Sequence, residues 1–500
     1  MASLKSKLSL TFAKYVAFKI NKWATAPVET QHKVFRHLIS SAKNTTFGID
    51  HDFKGITTYN DFKQRVPIRD YEALKPYVEQ ILEGKSDVLW KGKPIYFAKT
   101  SGTTSGAKYI PITKESMPTH IKAARNAILM YINETGKTAF VDGKMIFLQG
   151  SPVLEEKKGI QFGRLSGIVA HYVPKYLQKN RMPTYKTNCI EDWETKVEAI
   201  VDETVDQNMT VISGIPSWVQ MYFEKLMSKT GKPVGNIFKN FSLFIYGGVN
   251  FEPYRAKFER LIGRKVDSIE LYPASEGFFA FQDKQREEGM LLQLNSGIFY
   301  EFVEAEKFYD KNPERIMIND VKLNVNYVMI ISSTAGLWAY NIGDTVKFTS
   351  LQPYRVVVSG RIKHFISAFG EHVIGKEVEQ AMQKAIAQSS ATINEFTVAP
   401  QINPEQGLPY HEWFVEFETE PKDEKEFIEI LDKALQEQNS YYLDLIKGKI
   451  LRPLVITKVK KNGFQDYMKS IGKLGGQNKI PRLANDRKIA DELRRLQLTK

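Results

Sequence analysis

Between about residue 144 and residue 348, short apolar runs alternate with amphipathic stretches, and that alternation directs the chain to an α/β architecture. KMIFLQG (144–150) has the continuous apolar character of a buried strand and stops at a glycine. MTVISGIP (209–216) repeats the pattern, and SWVQMYFEKLM (217–227) follows as a helix, with Pro216 and Ser217 suited to its start. FSLFIYGG (241–248) and SIELYPASEG (268–277) each read as a strand running into a loop of small residues. Open α/β sheets bind ligands at the carboxyl ends of their strands, so these loops are where chemistry is expected. From 289–306 through 327–348 the pattern turns to alternation with Asn/Gly turns, which predicts antiparallel sheet.

A chain of 500 residues is too long for a single core. After Gly360 the order becomes helix (KEVEQAMQKAIAQ), strand (EFTVAP), strand (HEWFVEFE), helix (EKEFIEILDKALQEQN) and strand (PLVITKV). That is a compact α+β unit of its own. The expected organisation is a large α/β N-terminal domain over 1–359 with a β-rich portion, a hinge at 360–363 and a smaller, mobile α+β domain over 364–500.

The single cysteine, Cys189, excludes an internal disulfide and any all-cysteine metal site, which suits a reducing, cytoplasmic compartment. A net charge of +13 predicts attraction to anions without saying which. No zinc-finger spacing, RNP-like strand or long basic run accompanies it, so nucleic acid is not an expected partner. The N-terminal MASLKSKLSLTFAKYVAFKINKW is basic and partly apolar. Lys14 and Lys19 interrupt it before it reaches signal-peptide length, and no cleavage site follows. It reads as a helix packed on the body, with peripheral membrane contact as the lesser alternative and no stable insertion.

The strongest local signal is TSGTTSGAKYIP (100–111), a run of hydroxylic residues and glycines. Glycines let backbone amides approach an anion, and hydroxyls add neutral donors. It is not a Walker A loop, because Gly102 and Gly106 are one residue too close and no GK[ST] ends it. On composition alone a flexible serine/threonine linker is the lesser alternative. Ser105 and Lys108 also fit S-x-x-K, and Lys229-Thr230-Gly231 fits K-T-G, but a serine nucleophile of that kind should open a helix. Two further elements follow apparent strands. In YPASEG (272–277) an aromatic could face a purine while a carboxylate holds Mg²⁺ against phosphate. In YNIGD (340–344) an aspartate could accept both hydroxyls of a ribose. A basic stretch, GRIKHFISAFG (360–370), lies at the expected boundary.

In this order, these elements resemble the adenylate-forming superfamily of acyl-CoA synthetases, adenylation domains and luciferases. More closely they resemble its auxin-responsive acyl-acid amido synthetases, the plant jasmonate- and auxin-conjugating enzymes and their bacterial relatives. QHKVFRHLISSAKNTTFGIDHDF (31–53) and GGQNKIPRL (475–483) share the likeness, which thus spans nearly the whole chain. The resemblance implies that Ser101, Thr103 and Thr104 contact phosphates, with Gly102 in the same loop and Lys108 nearby. Gly247 and Gly248, with Tyr272, would border the adenine. Glu276, beside Ser275, would hold Mg²⁺, Asp344 the ribose with Tyr340 in the same motif, and Arg361 the ribose or a phosphate. Lys479 would reach the reacting phosphate, although Lys469 and Lys473 compete for that role. The hinge GRIK is closer to the wider superfamily than to the plant enzymes.

The implied activity is ATP- and Mg²⁺-dependent adenylation of a small carboxylic acid, then transfer of the acyl group to an amine, an amino acid being the expected acceptor. Coenzyme A as acceptor is the nearest enzymatic alternative. A non-catalytic nucleotide-binding or membrane-tethering protein is the other.

Overall fold

In the computed structural model the large domain is organised around one twisted eleven-stranded sheet among the described residues, which are 3–103, 106–173, 178–248, 251–362, 365–366, 368–371, 373–471 and 480–500. One wing of the sheet is parallel. Asp267–Ala274, Leu243–Gly247, Met209–Ser213, Lys144–Phe147 and Arg181–Met182 lie side by side in that order. The first four of these strands are the apolar runs of the sequence, Arg181–Met182 being an addition, and the helices Pro216–Thr230, Glu252–Ile262 and Trp193–Thr204 cover one face of them. The other wing is antiparallel: Gly277–Phe281, Met290–Leu292, Tyr354–Arg361, Tyr340–Leu351, Asn326–Ser333 and Ile298–Glu304. The two wings join where Asp267–Ala274 turns back on itself through Ser275 and Glu276 into Gly277–Phe281. The parallel and antiparallel patterns of the sequence are therefore halves of a single sheet.

The main core sits over the antiparallel wing, filled by Phe47, Phe53, Phe62, Tyr300, Tyr327 and Trp338. It contains an ion pair. Arg315 makes two hydrogen bonds to Glu301, of 2.9 and 2.8 Å, and Tyr59 donates to the same carboxylate at 2.9 Å. A second, four-stranded sheet (Gly106–Ile112, Tyr96–Thr103, Ile160–Gly163, Glu155–Lys157) packs against this core.

The N-terminal segment is a helix, Leu4–Ala24, started by Ser3, whose side chain accepts from the Ser6 amide. Its small and branched residues Ala13, Val16, Ala17, Ile20 and Ala24 pack on the helix Met117–Thr135 through Ala123, Ala127 and Tyr131. Among the described residues no helix is long and apolar enough to cross a membrane.

The C-terminal domain has its own core. The strands Thr392–Gln401, Tyr410–Thr419 and Val455–Lys458 form a sheet, with Gly375–Ala387 and Glu424–Gln438 packed on it through Val378, Met382, Phe427 and Leu431. Three short helices, Ser440–Lys447, Gly463–Ser470 and Lys488–Arg495, complete it. Trp193 and Trp218 of the large domain lean on this second core, and their rings are 4.3 Å apart.

Candidate active site

Three of the elements singled out in the sequence, those carrying Tyr272, Asp344 and Arg361, meet at the carboxyl end of the strand Asp267–Ala274. Tyr272 is near the end of its strand, and its hydroxyl donates a 2.6 Å hydrogen bond to Asp344 Oδ2. Both residues are buried, at 7% and 5% exposure. Asp344 is aimed there by a bulge. Asn341 pairs with Ile330 and Thr345 with Val328, so Ile342, Gly343 and Asp344 crowd a stretch where the partner supplies one residue. Gly343 takes the positive φ of 88° this requires, and its amide donates to Asn341 Oδ1 at 2.8 Å. Arg361 is the register partner of Asp344 on the neighbouring strand, which brings the hinge motif to the same place. Tyr340, the first residue of the bulged strand, is fully buried in the main core.

The hydroxyl-rich motif is a β-hairpin. Tyr96–Thr103 pairs antiparallel with Gly106–Ile112, Thr100 opposite Lys108 and Thr103 opposite Gly106. Ser101, Gly102 and Thr103 lie on the outgoing strand, while Thr104 and Ser105 fall outside the described residues. Lys108 sits at the base, its ammonium 5.9 Å from the Tyr71 ring, and the Tyr71 hydroxyl accepts from the Tyr109 amide at 2.9 Å. Pairing along Tyr96–Thr103 and Gly106–Ile112 makes the flanks of this motif strands rather than a linker.

Gly247 ends its strand where a Cβ would lie 2.4 Å from the carbonyl oxygen of Leu271, so only glycine permits that approach. Gly248 continues at φ +85°. Ser275 and Glu276 are the two turn residues of the hairpin that links the two wings, both half-buried. One carboxylate on a turn suits Mg²⁺, which is held mostly by phosphate oxygens and water rather than by a protein cage. Among the described residues no group of three or more His, Cys, Asp or Glu gathers as a metal site.

At residue 362 and again after it the chain is fastened to the large domain. Ile362 donates to the Gly343 carbonyl at 2.8 Å, and the Tyr254 hydroxyl donates to the Ala368 carbonyl at 2.8 Å. The Phe369 amide and His411 Nε2 donate to the two oxygens of the buried Glu371. Lys479 and Lys473 lie outside the described residues; Lys469 is exposed on the helix Gly463–Ser470. Lys229 and Thr230, from the K-T-G match, end a helix capped by Gly231, and Lys229 pairs with Asp202.

Sequence reasoning missed the residues that hold the C-terminal domain against the hairpin. Arg164 forms an ion pair with Asp444 and stacks over the Tyr441 ring at 4.6 Å, and the Tyr441 hydroxyl reaches the Lys99 carbonyl at 3.5 Å. Burial pushes the Tyr441 phenol up. Nothing local to these three residues marks them, since each acts only through a partner far away in sequence. Arg181 was missed as well. It donates to the Ala170 carbonyl at 3.0 Å and, with the Gln149 amide oriented to suit, to Gln149 at 2.8 Å. His171 contacts the Pro152 carbonyl at 2.8 Å, and burial pushes His120 down to about 4. His120 is thus neutral near pH 7.

Comparison with known proteins joins these observations. The chain matches the GH3 family N-terminal domain over residues 17–182, the central domain over 291–361 and the C-terminal domain over 376–488. It is 21% identical to jasmonoyl–L-amino acid synthetase JAR4 of Nicotiana attenuata, with 90% of each chain covered. It is 22% identical to indole-3-acetic acid-amido synthetase GH3.3 of Arabidopsis thaliana, over 90% of this chain and 88% of that one. Among solved structures, the AtGH3.15 acyl acid amido synthetase in complex with 2,4-DB superposes with a TM-score of 0.61 at 16% identity, covering 100% of this chain and 98% of that one. A 2-hydroxyisobutyryl-CoA ligase in complex with 2-HIB-AMP and CoA gives 0.59 at 14% identity, covering 94% and 91%. At such identities the structural likeness is one of fold, the two-domain fold of adenylate-forming enzymes. With three successive domain matches that together take in well over half of its length, the chain belongs to the GH3 family.

Proposed function

We propose that this chain is an acyl-acid amido synthetase, which adenylates a small carboxylic acid with ATP and passes the acyl group to the amine of an amino acid. The observation that carries the reading is the Tyr272–Asp344 hydrogen bond, with Arg361 in register beside it. It gathers three separate motifs at the carboxyl ends of the strands, where a nucleotide binds in this kind of sheet.

Attack of a carboxylate on the α-phosphate of ATP brings two anions together, so the site has to neutralise charge. In this reading the backbone amides of the 96–112 hairpin and Lys108 hold the phosphates, with Ser101, Gly102, Thr103 and Thr104 at or near the tip. Asp344 accepts from the ribose hydroxyls, and Tyr272, Gly247 and Gly248 border the base, with Arg361 reaching the ribose or a phosphate. Mg²⁺, held by Glu276, supplies positive charge at the phosphate oxygens when bound. Lys479 is the cation assigned to the reacting phosphate. The acyl-adenylate so formed is a mixed anhydride, and its second half-reaction needs an amine held in line, an arrangement worth roughly 7–11 kcal/mol of barrier. The domains are read as 1–359 and 364–500, turning about 360–363 between the two steps and keeping water from the intermediate. The basic balance of the chain suits anionic substrates, and the lone cysteine suits a cytoplasmic setting.

The test is acid-dependent exchange of labelled pyrophosphate into ATP across a panel of aromatic and aliphatic acids, followed by AMP release with amino acids or coenzyme A as acceptor. Exchange with one acid class and AMP release stimulated by an amino acid support the reading. Exchange stimulated onward only by coenzyme A replaces amide formation with thioester formation. Absence of exchange with every acid, in protein that binds ATP, rejects adenylation.

A further inference from the structure

The helix Leu4–Ala24 has two apolar faces, and only one of them is used by the fold. Its inner face, Ala13, Val16, Ala17, Ile20 and Ala24, is buried on the helix Met117–Thr135. Its outer face leaves large apolar side chains in water: Leu4 at 75% exposure, Leu8 at 61%, Phe12 at 42%, Tyr15 at 52% and Phe18 at 71%. At about 100° per residue these five fall in one sector roughly 120° wide. Isolated exposed apolar residues need no explanation, but an aligned ridge along a helix about 30 Å long does.

The charges around the ridge identify its partner. Lys5 borders it on one side, Lys7 and Lys14 on the other, and Lys19 and Lys22 close its far end; residues 3–24 contain no Asp or Glu. Arg125 of the neighbouring helix lies 5.6 Å from the Phe12 ring, and Lys19 lies 4.4 Å from the Tyr15 ring, so cations reach over the aromatic rim. A twofold contact between two copies through this face would set lysine against lysine. An apolar ridge between cationic borders instead matches the boundary between acyl chains and anionic headgroups, with the helix lying in the plane. The geometry points to docking of this face on an anionic lipid surface, beyond the reaction proposed above. The helix arrives already folded and fixed. Ser3 and Ser6 donate to Asp142 at 2.8 and 3.1 Å, and Ser6 also reaches the Thr138 carbonyl at 3.3 Å. Binding thus orders nothing new and presents the whole protein in one orientation. The first thirteen residues of the helix precede the part matched by the family's N-terminal domain, which begins at residue 17.

The experiment is flotation of the full chain with vesicles of phosphatidylcholine, with and without about 30 mol% phosphatidylglycerol, beside the variant L8D/F18D. The expected result is flotation on the anionic vesicles, at least about tenfold weaker on neutral ones, weakened by salt, and reduced at least about tenfold in L8D/F18D. Unchanged circular dichroism and pyrophosphate exchange in that variant confine its effect to the surface. No flotation of the wild type, or equal flotation of L8D/F18D, overturns the proposal. So does a dimer in solution that L8D/F18D dissociates, which would give the ridge to a second copy.

Discussion

Tyr272 and Asp344 are seventy-two residues apart in sequence and 2.6 Å apart in space, one on each wing of the large sheet. A buried carboxylate is costly without donors, so the phenol both positions Asp344 and supports its charge. Tyr272→Phe keeps the ring and removes the donor. It should cost about 1–3 kcal/mol in urea denaturation. It should also raise the KM for ATP more than it lowers kcat. Asp344→Ala should go further, lowering kcat/KM for ATP by about 10²-fold.

Glu276 stands on a turn, so its loss should separate chemistry from folding. Glu276→Gln should lower pyrophosphate exchange by about 10²–10³-fold and raise the Mg²⁺ concentration needed for half-maximal activity. Its unfolding free energy should stay within about 1 kcal/mol of the parent. Full activity in this variant would remove Glu276 from the metal assignment.

The Glu301–Arg315 pair belongs to the main core and bears on stability. Both side chains are almost wholly buried, and Tyr59 depends on the same carboxylate. Arg315→Ala leaves that charge without its partner, which typically costs about 3–5 kcal/mol, measurable by denaturant unfolding. Replacing both members of the pair with apolar residues of similar volume should recover most of the loss.

His120 gives stability a dependence on pH. Burial depresses it to about 4 from an ordinary 6.5, so between those values the unfolded chain binds a proton that the folded chain does not. Stability therefore falls as pH falls from 6.5 towards 4, by up to about 3 kcal/mol from this group. His120→Gln should flatten that part of the difference between the two proteins' unfolding free energies, measured at intervals across the same range.

The parallel strands were legible because a strand covered on both faces has to be apolar along its length, as in MTVIS and LFIYG. The hairpin at 96–112 was not, because its glycines and hydroxyls carry the composition of a loop, and only pairing such as Lys99 with Tyr109 makes it a strand. Glu276 was legible as a carboxylate among small residues, but not as the turn joining two wings. The contact of Asp344 with Tyr272 and that of Arg164 with Asp444 were illegible for one shared reason. Periodicity reports what a residue faces, and never which distant residue faces it. The helix Ser440–Lys447 was missed because it follows Glu424–Gln438 with only Asn439 between, and the two read as one run.

The bond from Tyr254 to Ala368 lies on the far side of the hinge from the large domain that supplies the tyrosine. Any turn about 360–363 that carries Ala368 away has to break it, and the tyrosine is too deeply buried for water to replace the partner at once. Under the proposed turn about 360–363 this bond would act as a catch, and the time spent in this orientation would be set at a point remote from both proposed bond-making steps, where it could be tuned without altering any group assigned to substrate.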